Sequence, residues 1–74
     1  MNPHPSIKLK EAIANRNEYI SIMAQWDDKK LSKHIDLFQQ QMQKAYNDKN
    51  EAAYLLLSEY ENQTIEARDM KNFQ

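Results

Sequence analysis

The side chains best equipped for chemistry in this 74-residue sequence are two histidines, His4 and His34, and four acids of the C-terminal third, Glu59, Glu61, Glu66 and Asp69. Nucleophilic catalysis wants a serine or threonine beside an oriented base. His4 sits between two prolines in an N-terminal stretch expected to fray, and His34 has no acid four residues before it to orient its ring. A metal site on helices presents His or Glu in matched pairs one turn apart, whereas His34 is flanked at that spacing by Lys30 and Phe38. Glu59 and Glu66 are seven residues apart and share a helix face, as a di-carboxylate site requires, but they lack the Glu-x-x-His companions. A solvated face is the expected role for these acids.

The residue types that are missing exclude more chemistry. The sequence has no cysteine and no glycine. It therefore offers no disulfide, thiolate metal site, cysteine nucleophile or glycine-rich phosphate loop. Asn62-Gln63-Thr64 fits a glycosylation sequon, but the start Met1-Asn2-Pro3-His4-Pro5 lacks the charged and apolar regions of a signal peptide. The sequon is read as chance and the protein as cytoplasmic. No catalytic, cofactor-binding or metal-ligating residue is assigned, no small-molecule substrate is indicated, and the chain is not read as an enzyme.

Ten basic and eleven acidic side chains nearly cancel, which removes the broad positive footprint of most nucleic-acid binders. Lys29, Lys30, Lys33 and Lys44 give the middle of the chain only a weak basic face. Residues 50–74 carry two bases against five acids and are the acidic part, a bias that would steer a basic partner there. No apolar run reaches the roughly 18–20 residues a membrane span needs.

Positioning these side chains falls to helices. Without glycine, tight hairpin turns are poorly served, and both prolines lie in the first five residues. The fold class is therefore all-α, with residues 1–5 as a flexible N-terminus and residues 6–74 as one helical domain. Ser6 is the expected cap of a first helix over about 7–25, whose stripe is Leu9, Ala12, Ile13, Tyr19, Ile20 and Met23, with Arg16 inside it. Asp27-Asp28 punctuates the chain before a second helix over about 28–46. There Leu31, Ile35, Phe38, Met42 and Ala45 repeat at 4-3-4-3, the most regular heptad signal in the sequence. This seam is out of phase with the first stripe, which favours a break near residues 25–30. Asp48 and Glu51 form a capping-box signature for a third helix over about 49–72, with an inner stripe of Ala53, Leu56, Leu57, Tyr60, Thr64, Ala67 and Met70.

Short connections between such helices favour antiparallel neighbours. The expected architecture is a small three-helix up-down-up bundle, or a helical hairpin with coiled-coil-like packing, oligomeric in either case because so small a core is marginal alone. Ala52-Ala53-Tyr54-Leu55-Leu56-Leu57 is apolar around the whole helix, more than one bundle stripe requires. Tyr54 and Ile65 fall within about 20° of each other, opposite the inner stripe. Tyr54, Leu55, Leu57, Glu61 and Ile65 are therefore the candidate partner-binding residues, and Leu31, Ile35, Phe38, Met42 and Ala45 the candidate self-association seam. The preferred function is a small non-catalytic protein-protein interaction module, a regulator or inhibitor that docks a helix face onto a larger protein. A self-assembling homo-oligomer is the alternative, and a nucleic-acid accessory role the remote one.

Overall fold

The computed structural model describes residues 4–72, and among these every regular element is a helix. The elements are α1 (Pro5–Ala14), α2 (Arg16–Met23), α3 (Asp28–Asn47) and α4 (Glu51–Asn72). The helices α1 and α2 form a kinked arm, and arm and α3 both pack against α4, which is the hub. The whole measures 38 × 24 × 19 Å. Met1–Pro3 and the last two residues, which include part of the expected flexible N-terminus, lie outside the described residues.

The first helix begins two residues earlier than expected. Pro5 occupies its first turn, where a missing N–H costs nothing and the ring's fixed φ already suits a helix. The same proline holds His4 extended, at φ −61° and ψ 144°. His4 rather than Ser6 is therefore the cap, its Nδ1 accepting the Ser6 N–H at 3.1 Å.

The expected single helix over 7–25 is divided at Asn15, which leaves the helical region at φ −106° and ψ 21°. Its side-chain amide donates to the Glu11 carbonyl at 2.9 Å, the local competition with the helix ladder to which asparagine is prone. The apolar stripe runs through the kink without interruption, so periodicity alone conceals it. The stripe pays one residue to the change of direction: Ile13, expected inside, is 55% exposed. Ala12 and Ile20 are buried as expected.

Asp27 caps α3, its Oδ1 accepting the Lys30 N–H at 2.7 Å. At the other end the chain has no glycine for the left-handed residue that commonly closes a helix. Lys49 takes that conformation instead, at φ 58°. Its N–H donates to the Tyr46 carbonyl at 3.1 Å and the Asn50 N–H to the Ala45 carbonyl at 2.8 Å, the paired bonds of a Schellman closure. That closure uses Asp48 as the C-cap of α3, so it cannot start the next helix. Asn50 does so, accepting the Ala53 N–H at 3.2 Å, and α4 begins two residues later than its capping-box signature implies.

The core gathers Ile20, Leu31 and Ala67, with Met23, Ala24 and Trp26 packed against them. Ile35, Ala45 and Leu56 are also buried. Met70, expected in the inner stripe, is 44% exposed. The inward position one turn after Ala67 belongs to Lys71, whose Nζ donates to the Trp26 carbonyl at 2.6 Å and lies 3.4 Å from Asp28. Lys71 thereby ties the α2–α3 turn to the end of α4.

Candidate protein-binding face

Each flank of the α3–α4 pair has a different fate, and the difference begins with the arm. On the arm side, the Trp26 ring lies 4.7 Å from that of His34, His34 lies 6.2 Å from Phe38, and Phe38 lies 5.9 Å from Tyr60 on α4. Lys30 Nζ stands 4.2 Å from the centre of the Trp26 ring. His34 Nδ1 is 2.9 Å from the Lys30 carbonyl, which can only accept, so that nitrogen carries the proton. The histidine is thus a structural member of an aromatic row. Burial pushes the Tyr60 phenol above its ordinary range, with Tyr19 and Glu11 adding to the effect.

The acids facing the arm are engaged as well. Arg16 Nε is 3.5 Å from Glu59, and the same guanidinium pairs with Glu66. The basic residue inside the first apolar stripe therefore clasps two carboxylates seven residues apart. Glu59 is thereby drawn into an ion-pair clasp between α2 and α4, while Glu66 and Asp69 remain exposed, as a solvated face requires. Asp69 lies 4.0 Å from Arg68. Among the described residues no cluster of three or more His, Cys, Asp or Glu is placed to hold a metal ion.

The opposite flank carries no such cover. At about 100° per residue, Gln39, Gln43 and Tyr46 run along the edge of α3 away from His34. Tyr54 and Glu61 run along the edge of α4 away from Glu59. Between them lies an open groove of about 450 Å³ lined by Gln39, Met42, Gln43, Tyr46, Tyr54 and Glu61. A second hollow of about 590 Å³ wraps the α3–α4 turn, where Tyr46 and Tyr54 are joined by Lys49, Asn50 and Glu51. The two tyrosine rings stand 6.5 Å apart at 56°. Tyr46 is 71% exposed. A small-molecule site encloses most of its ligand, whereas these hollows are open and suit several side chains of a docked polypeptide.

Of the five partner-binding candidates, Tyr54 and Glu61 line the groove. Leu57 and Ile65 are half-buried on α4. Leu55 lies about 100° around the helix from Tyr54 and is 47% exposed outside it. Of the seam residues, Leu31, Ile35 and Ala45 are buried within this chain, Phe38 stacks on Tyr60, and Met42 reaches the groove. Tyr46, Gln39 and Gln43 also line the groove and are not among the residues that the sequence marks as candidates. Gln39 and Tyr46 are seven residues apart on the flank of a heptad seam, a spacing that marks one edge of a packed helix.

No helix among the described residues is long and apolar enough to cross a membrane. The chain matches no protein-family model, no curated protein and no solved structure.

Proposed function

We propose that the chain is a small non-catalytic protein-binding module that regulates or inhibits a larger protein by presenting the open face of its α3–α4 pair. The observation that carries this reading is the Tyr46–Tyr54 pair beside Met42, on the flank that the arm leaves uncovered. Tyrosine supplies large, amphipathic contact area at little conformational cost, which is why it is enriched where proteins meet. The arm, α3 and α4 are read as the three rods of an up-down-up bundle, with the face on one side of it.

Affinity capture from the native host, followed by mass spectrometry, tests this with three baits: the parent chain, Tyr54→Glu and, as a control on the arm, Ile13→Glu. The expected result is one protein recovered by the parent and the control and lost from the Tyr54 variant. Recovery by all three would place the binding surface elsewhere, and recovery by none would remove the reading.

Self-assembly is the second reading, favoured by the isoleucines that the arm leaves exposed at Ile7, Ile13 and Ile22. The α3 seam is already packed within the chain, so association through it would require exchange of α4 between copies. Light scattering distinguishes the two, since a monomer at micromolar concentration excludes assembly.

A further inference from the structure

We infer that the segment received by the α3–α4 groove is a cationic amphipathic helix, whose apolar stripe sits on Met42, Tyr46 and Tyr54 and whose Lys or Arg meets Glu61. This rests on the open flank being the docking face, and deepens it by naming the partner's chemistry.

Charge is the first ground. The five acids of α4 differ in their pairing. Glu59 and Glu66 are matched by Arg16 and Asp69 by Arg68. Glu51 and Glu61 have no ion-pair partner among the described residues, and these two line the hollows of the open flank. Lys49 is the one base lining them, at the Glu51 end, so the Glu61 end keeps its negative charge undiluted. Glu61 is half-buried, and an apolar segment laid over it would strip its remaining water. Such burial is tolerated when the incoming surface brings a hydrogen-bonded cation and opposed when it does not.

Shape supplies the second ground. Both walls are helices with their backbone groups bonded internally, so the groove has no sheet edge for a strand to extend. Recognition falls to side-chain ridges, the mode in which an amphipathic helix lies in a groove. Glu51 and Glu61 are ten residues apart, about 15 Å along the helix axis, which matches two cations about three turns apart on a helix lying alongside. A second copy fits poorly, because this face offers two acids and a single base, Lys49, to meet them. A nucleic acid would meet carboxylates where it needs cations.

The test uses three synthetic helical peptides with one leucine stripe and, at two flanking positions eleven residues apart, lysine, glutamine or glutamate. Backbone amide shifts of the full chain in heteronuclear NMR report both site and affinity. The lysine peptide is expected to shift amides around Met42, Tyr46, Tyr54 and Glu61 and to bind roughly ten-fold tighter than the glutamine peptide. The glutamate peptide is expected not to bind. Glu61→Gln should narrow that order and Glu61→Lys should level it, while Glu18→Lys on the arm should leave it unchanged. Equal affinity for the lysine and glutamine peptides at the groove would overturn the charge inference and leave the docking face standing. Groove shifts from none of the three would overturn both.

Discussion

Gln63 sits in the middle of what the sequence presents as a glycosylation sequon, and it is fully buried. Its side-chain amide donates to the Ala12 carbonyl at 3.0 Å and to Glu59 at 3.1 Å. The break at Asn15 frees the Ala12 carbonyl from the regular helix ladder, and Gln63 takes it up, joining the arm to α4. Replacing Gln63 by leucine is expected to lower stability by about 1 kcal/mol, the penalty for stranding the buried Ala12 carbonyl less the gain from removing Gln63 Oε1, which has no hydrogen-bond partner, measured by urea unfolding. Lys49 shows the opposite opportunity. A lysine at φ 58° is strained where glycine is at ease, so Lys49→Gly is expected to raise stability by about 0.5–1 kcal/mol after the added flexibility of the unfolded chain. A lower unfolding midpoint would contradict that account of the turn. For Tyr60, the raised phenol pKa favours the neutral form in the folded state, so this residue leaves stability unchanged below pH 10 and subtracts from it as the unfolded tyrosine ionises above its ordinary value of 10.0. Tyr60→Phe should remove that part of the alkaline loss, as followed by circular dichroism. Glu61 and Tyr54 were legible as surface candidates because they lie opposite an apolar stripe. Arg16 was not legible as a clasp, because pairing across elements leaves no mark in the spacing of one helix.

At the scale of elements, α3 was the most legible. Its seam repeats at 4-3-4-3, and its start is written in a single aspartate. Asp27→Ala is expected to cost about 1 kcal/mol through the lost cap. Leu31→Ala, at a position with no exposure, is expected to cost about 2–5 kcal/mol, whereas the exposed Leu37→Ala should stay within about 0.5 kcal/mol. Equal losses at the two leucines would mean that the seam is not the inner face of α3. The arm was half legible. Its apolar stripe identified a helix, but the stripe is blind to the kink because Asn15 lies off it and acts through its own amide. The start of α4 slipped by two residues for a related reason. Asp48 suits the end of α3 and the start of α4 equally well in sequence, and only the Schellman closure through Lys49 assigns it to α3.

Across the whole molecule, the balance of charge conceals a division of labour. On α4, Glu59 and Glu66 pair with Arg16 of the arm, whereas Glu61, without an ion-pair partner among the described residues, lines the open groove and Glu51 the hollow at the turn. That division was visible in sequence only as an acidic C-terminal third, since pairing depends on where the arm lands. The fold class was legible because helical periodicity pervades the chain. The open flank was not, because it exists only once the arm covers one side of the α3–α4 pair and leaves the other. Placing a photo-crosslinking side chain at Tyr46, and separately at the exposed arm position Ile13, tests the central claim most directly in living host cells. The expected result is a crosslink from position 46 to one other protein, mapped to a helical segment rich in lysine or arginine, with none from position 13. A crosslink from position 13 alone, or the same product from both, would contradict the assignment of the open flank as the binding face.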